Sequence, residues 1–191
     1  LFYGDENLRN SDLNNYGPAL RYLKERGLTP LLFSAQIHIP DEISRLLINY
    51  PSSGYKTKKN DYLICRFADL FLGNPSGPMY LGDVYQYRSI GIDWWPYGIW
   101  PSSKTIVVPR PIKDSRTGRF VSIDVFSRIV PDQAERLNPS PYFEVLKASK
   151  QDILEACISH FDSSLLVDLE STTECASGMI PQTIAERYNF F

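Results

Sequence analysis

Two short polar constellations could do chemistry. The first is Asn74-Pro75-Ser76-Gly77, directly behind the apolar run Asp69-Leu70-Phe71-Leu72-Gly73 and ahead of a helical pattern from Met79 to Tyr85. A strand that ends in a glycine-containing turn presents the first N–H groups of the next helix, and their partial positive charge suits a diphosphate. Ser76 adds a hydroxyl and Gly77 permits close backbone approach, whereas Pro78 removes one donor. The plain alternative is an N-cap in which Ser76 satisfies its own helix. The second constellation is Arg9-Asn10-Ser11-Asp12. Here Arg9 could clamp a phosphate bidentately, and Asn10 or Asp12 could bond a ribose or sugar hydroxyl. Its plain alternative is a turn nucleated by Ser11 and Asp12 beside a solvated arginine.

Trp94, Trp95, Tyr97 and Trp100 follow an expected strand, where their faces could stack on a base or a sugar ring or simply pack in a core. His38 and His160 are the only histidines, and neither joins a nucleophile and a spaced carboxylate in a triad. Cys65, Cys157 and Cys175 lie far apart without C-x-x-C spacing, so they read as reduced structural residues rather than a zinc site or a disulfide framework. The chain contains no P-loop, no G-x-G-x-x-G, no G-x-S-x-G and no H-E-x-x-H. An Asp-x-Asp pair for holding a diphosphate through a divalent cation is also missing, so the simpler expectation is a site with no metal and no cofactor.

The elements that must position these groups alternate. Asn15 to Arg26 reads as a helix with Tyr16, Ala19, Leu20 and Leu23 on one face, an early Pro18 and a stop at Gly27. The apolar run Leu31-Leu32-Phe33 predicts a strand. Pro40-Asp41-Glu42 opens a helix with Ile43, Leu46 and Leu47, and the segment 50–60 has the composition of an exposed loop. Asn60 is expected to cap a short helix through Ile64 and Phe67. Further strands are predicted at Asp69–Gly73, Ser89–Asp93 and Thr105–Val108, and a polar loop at Pro109–Arg119. Ser122 is read as a cap for a helix with Val125, Phe126 and Ile129. Ser149 and Asp152 make a capping box ahead of Ile153, Leu154, Cys157, Ile158 and Phe161, and the tail from Met179 through Ile184 to the aromatic end reads as a last short helix. Such alternation predicts an α/β fold, a Rossmann-like open parallel sheet flanked by helices.

The chain of 191 residues is 43% hydrophobic and 13% aromatic, enough to bury an ordinary core in a single domain. Its formal charge of -2 comes from balanced acids and bases, which argues against nucleic acid as a partner. No stretch approaches the roughly 20 apolar residues of a bilayer span, and no basic-then-apolar leader opens the chain, so a soluble cytoplasmic protein is expected.

Gly4-Asp5, Arg9-Asn10-Ser11-Asp12-Leu13 with Tyr16, Pro18-Ala19 and Gly27 resembles a family of bacterial glycosyltransferases found in surface-polysaccharide clusters. In that family R-N-[SA]-D-I precedes a helix and a strand ending in a small-Ser-Ser-Gly turn follows. Ala68 to Gly77 is similar to that second motif, and Ile180-Pro181 with Ile184-Ala185-Glu186-Arg187 looks like the family's C-terminal ending. The similarity runs in order along nearly the whole chain. It implies the nucleotide-sugar-binding half of a GT-B enzyme: a single domain over 1–191, with the helices of 149–191 packed on it. Arg9 and Asp12 would be the catalytic residues, one neutralising the leaving diphosphate and the other orienting the donor; Asn10, Asn74, Ser76 and Gly77 would bind the nucleotide-sugar. The partners implied are that donor and a glycan or lipid-linked acceptor, which leaves room for peripheral association with the inner face of a membrane and for a homo-oligomer. Two departures accompany the resemblance. The family's His-x-Arg strand and its other Rossmann half would lie ahead of Leu1, and Phe33-Ser34-Ala35-Gln36 stands where the family has Arg-x-Gly-Asp. The competing expectation is a catalytically inert Rossmann-like module that binds a partner or a glycan.

Overall fold

The computed structural model describes residues 10–33, 39–95, 105–130, 141–168 and 179–190. Asp12 caps a 3-10 turn at Leu13–Tyr16, which runs into helix α1 at Gly17–Glu25. Tyr16, Ala19, Leu20 and Leu23 are all buried, as their spacing predicts, and Gly27 closes the helix at φ 83°. Strand β1 at Leu31–Leu32 is shorter than the apolar run suggested. It pairs in parallel only with β2 at Ile48–Asn49, after a one-turn helix α2 at Asp41–Ser44. β1 and β2 therefore make a separate ribbon and not a strand of the main sheet.

Helix α3 spans Lys58–Phe67, and its cap is Thr57, not Asn60: the Thr57 hydroxyl accepts the Asn60 N–H. Threonine's side-chain oxygen reaches the N3 amide, while asparagine is already inside the first turn. Strand β3 at Leu70–Gly73, helix α4 at Gly77–Tyr85 and strand β4 at Arg88–Trp94 form a crossover between parallel neighbours. Strand β5 at Ile106–Pro109 adds beside β4. The expected polar loop after it contains β6 at Ile112–Asp114, whose Ile112 is buried. Its antiparallel partner β7 at Phe143–Val145 follows helix α5 at Ile123–Ile129, which Ser122 caps. Helix α6 at Lys150–Phe161 begins with the predicted capping box of Ser149 and Asp152. Strand β8 at Leu166–Asp168 pairs with β9 at Met179–Pro181, so the tail opens as a strand rather than as helix, and the last helix, α7, spans only Gln182–Tyr188 because Pro181 closes the strand ahead of it.

The main sheet has the order β3-β4-β5-β9-β8, with the first four strands parallel and β8 antiparallel at the edge. Its two faces bury different residues because alternate side chains point to opposite sides. Leu70, Leu72, Ile90, Ile92, Ile106 and Val108 join the large core with Ile153, Ala156 and Cys157 of α6. Phe71, Val107 and Trp94 join Met79 of α4 on the other face. Helices thus cover both sides, and the fold is Rossmann-like α/β.

Strand β4 breaks its own alternation. The register shifts between Ile92 and Trp94, and Asp93 between them takes φ 56°. This one-residue bulge turns Trp94 onto the face of Gly91, where an added Cβ would stand 2.6 Å from the indole. It also leaves the Asp93 side chain at the carboxyl end of the central strands.

Candidate functional site

Three polar side chains stand at the carboxyl ends of three adjacent parallel strands and converge on the same loop. Asn74 follows β3, Asp93 lies in the bulge of β4, and Arg110 follows β5. Asn74 donates from Nδ2 to the Ser11 hydroxyl at 2.8 Å, and its Oδ1 accepts the Ser11 N–H at 3.4 Å. Arg110 donates from Nη2 to the Asn10 carbonyl at 3.2 Å. Ser11 also reaches Asp93 and Tyr16. The two constellations of the sequence, 63 residues apart at Ser11 and Asn74, therefore meet at the carboxyl edge of the sheet, where open α/β folds carry ligands.

Beneath this loop Asp93 and Arg110 form a buried ion pair, 3.9 Å between Oδ1 and Nε, with side chains only 1% exposed. Burial pushes the Asp93 carboxyl above the ordinary carboxylate range, while the Arg110 guanidinium, Ser11 and the Ala148 N–H pull the other way. Ala148 donates that N–H to Oδ1 at 2.7 Å, and its carbonyl accepts from Asn15 Nδ2 at 2.9 Å. The pair thus ties the N-terminal loop, two strand ends and the approach to α6 into one unit. Neither residue was singled out by sequence reasoning. The available signal was a lone acid in the apolar run Ile90-Gly91-Ile92-Asp93-Trp94, which demands a buried partner, and a single arginine flanked by Pro109 and Pro111.

Asn10 is exposed beside this unit. The Asp12 carboxylate accepts from Asn14 through both its N–H, at 3.0 Å, and its Nδ2, at 2.9 Å, so it caps and shapes the turn. Ser76 occupies the N-cap of α4 but makes no side-chain cap bond, so its hydroxyl is not spent on its own helix; its carbonyl accepts the Met79 N–H at 3.0 Å. Gly77 is exposed, and a Cβ there would meet nothing within 4 Å. Packing does not require glycine at this position, in contrast to Gly82, whose Cβ would lie 2.6 Å from the Ser89 hydroxyl. That close approach, with Tyr87 donating to the Pro78 carbonyl at 2.6 Å, holds the start of α4 against β4.

Arg9, His38, Tyr97, Trp100 and Cys175 lie outside the described residues. Trp94 and Trp95 are buried on opposite faces of the sheet, where they act as core. Cys65 and Cys157 are buried free thiols, and burial pushes Cys157 up to about 12. Among the described residues no three His, Cys, Asp or Glu side chains are grouped to hold a metal ion, and no helix is long and apolar enough to cross a membrane. Comparison with protein-family models, with curated proteins and with solved structures finds no match to this chain.

Proposed function

We propose that this chain is the donor-binding half of a glycosyltransferase, holding a nucleotide-sugar at the carboxyl edge of its sheet for transfer to a glycan or lipid-linked acceptor. The observation that carries the reading is the paired hydrogen bonding of Ser11 with Asn74, which joins the Asn10–Asp12 loop to the approach to α4. In this reading the Gly77 N–H, the Ser76 hydroxyl and Arg9 receive the diphosphate. As the bond from the sugar's anomeric carbon to the diphosphate breaks, the acceptor oxygen bonds to that carbon and negative charge gathers on the leaving group. Preorganised donors aimed at that charge are the main electrostatic contribution a protein makes to such a step. Asn10 contacts the donor directly, and Asp12 serves by fixing the turn rather than by moving a proton. No metal or cofactor enters this reading. A cytoplasmic location at the inner face of a membrane, where a lipid-linked acceptor is presented, goes with it.

One observation favours the second reading, an inert Rossmann-like binding module: the carboxylate expected to act on the donor is engaged within its own turn. Calorimetric titration with UDP-, GDP- and CMP-sugars separates the two. The transferase reading expects heat with one nucleotide class, and at least about tenfold weaker binding in Arg9→Ala and in Gly77→Val, with unchanged thermal midpoints. Absence of heat with all three classes leaves the inert module.

A further inference from the structure

A cavity of about 330 Å3 lies between α1, α2 and the start of α6, at the lower end of the roughly 300–1,000 Å3 of small-molecule sites. Two cations, Arg21 and Lys150, and two anions, Asp41 and Glu42, line it together with Asn14. None of the four charges forms an ion pair with another described residue; the ion pairs among those residues lie elsewhere. All four residues are solvent-exposed around the same concavity, so their charged groups are open to a ligand that replaces water between them.

Helix stability does not explain the cations. Lys150 is the first residue of α6, and the Arg21 guanidinium lies 3.8 Å from where a Gly17 Cβ would sit, at the first turn of α1. Both positions face the positive end of a helix dipole, where a cation is disfavoured. Asp41 and Glu42 are favourable at the start of α2, so the carboxylates alone would carry nothing. Pro18 and Ile43 give the cavity an apolar wall. Asn14 links it to the candidate donor site, since Asp12 holds both its backbone and its side-chain amide.

A ligand of one charge sign would face two like charges here. A hydroxyl both donates and accepts, so vicinal hydroxyls satisfy the carboxylates and the cations together, and the C–H face of a ring suits the apolar wall. We propose that this cavity is a sugar-binding subsite that takes one pyranose unit, the acceptor's in the proposed transfer. The acceptor role rests on the transferase reading; the sugar site does not.

Two-dimensional 15N NMR of the full chain titrated with the methyl glycosides of glucose, galactose and N-acetylglucosamine tests it. At least one glycoside is expected to shift the amide signals of Gly17, Ile43 and Lys150. The dissociation constant should rise about tenfold in Arg21→Ala and in the double variant Asp41→Asn, Glu42→Gln, each of which removes charge-assisted bonds. The proposal is overturned if no glycoside moves these signals, if both variants bind as well as the parent, or if glycine, a zwitterion, reproduces the shifts. Nucleotide-sugar shifts at Ser11, Asn74 and Gly77 report on the donor reading separately. Their absence alongside glycoside binding sinks the transferase reading and leaves the sugar site standing.

Discussion

Asp93 and Arg110 are the most deeply buried ion pair at the site. Each is almost wholly buried, and together they anchor a loop that has little apolar surface of its own. Breaking a buried pair by deleting one partner costs about 3–5 kcal/mol, because the remaining charge is left uncompensated. Arg110→Leu is therefore expected to lose about that much stability at pH 7, measured by urea unfolding. The sign of its pH dependence follows from Asp93. A carboxyl whose folded value lies above the ordinary 3.8 contributes stability that is present below that value and fades as pH rises through the folded value. Without Arg110 the folded value climbs further, so the variant's deficit should shrink at pH 4, where Asp93 can be protonated. An equal deficit at both pH values would show that the carboxylate is not what Arg110 compensates. Sequence reasoning passed over this pair: a lone acid in the apolar run around Asp93 demands a buried partner, but local sequence does not say that Arg110, 17 residues on, supplies it.

At the scale of elements, the bulge in β4 does two jobs with one extra residue. It sends Trp94 against Gly91 to complete the face shared with Met79 and Val107, and it delivers Asp93 to the Ala148 N–H at the approach to α6. Aspartate tolerates the left-handed region better than most residues, which suits it to φ 56°. Gly91→Ala should cost about 1–3 kcal/mol, because the added Cβ overlaps a buried indole that is 1% exposed. Chemical denaturation measures this, and a neutral result would show that the bulge relaxes freely. The strand itself was legible from Ser89 to Asp93, but its bulge was not: alternation is a local pattern, and what breaks it is the fit of Trp94 on a neighbouring helix. The same reason explains the ribbon of β1 and β2, whose apolar residues announced a strand without saying which partner it would find.

Across the whole molecule the C-terminal helix buries Ile184 and Ala185 in the core and is also tied to α6 by one polar network. Asp152 of α6 is fully buried and accepts from Arg187, from Tyr188 at 2.8 Å and from the Ser149 hydroxyl at 2.7 Å, while Arg187 also pairs with Glu155. Burial and the neighbouring Asp152 carboxylate push the Tyr188 phenol up to about 12, so it remains a donor at neutral pH. Arg187→Ala should release α7 before the sheet unfolds, because Asp152 keeps its capping bonds but loses its cation. Hydrogen exchange is expected to speed up in the amides of α7 and to stay slow in β4 and β5; uniform acceleration would mean that α7 and the sheet open together.

The sequence by itself determined the alternation of strands and helices, the capping box at Ser149 and Asp152, the buried face of α1 and the two polar segments worth watching. All of these are set by neighbours within a few residues. Only the tertiary structure decided that Ser11 meets Asn74, that Asp93 meets Arg110 and that β1 stands outside the main sheet. Hydrogen bonds and ion pairs between distant segments leave no periodicity in the chain, and they form only where packed strands bring their carboxyl ends side by side.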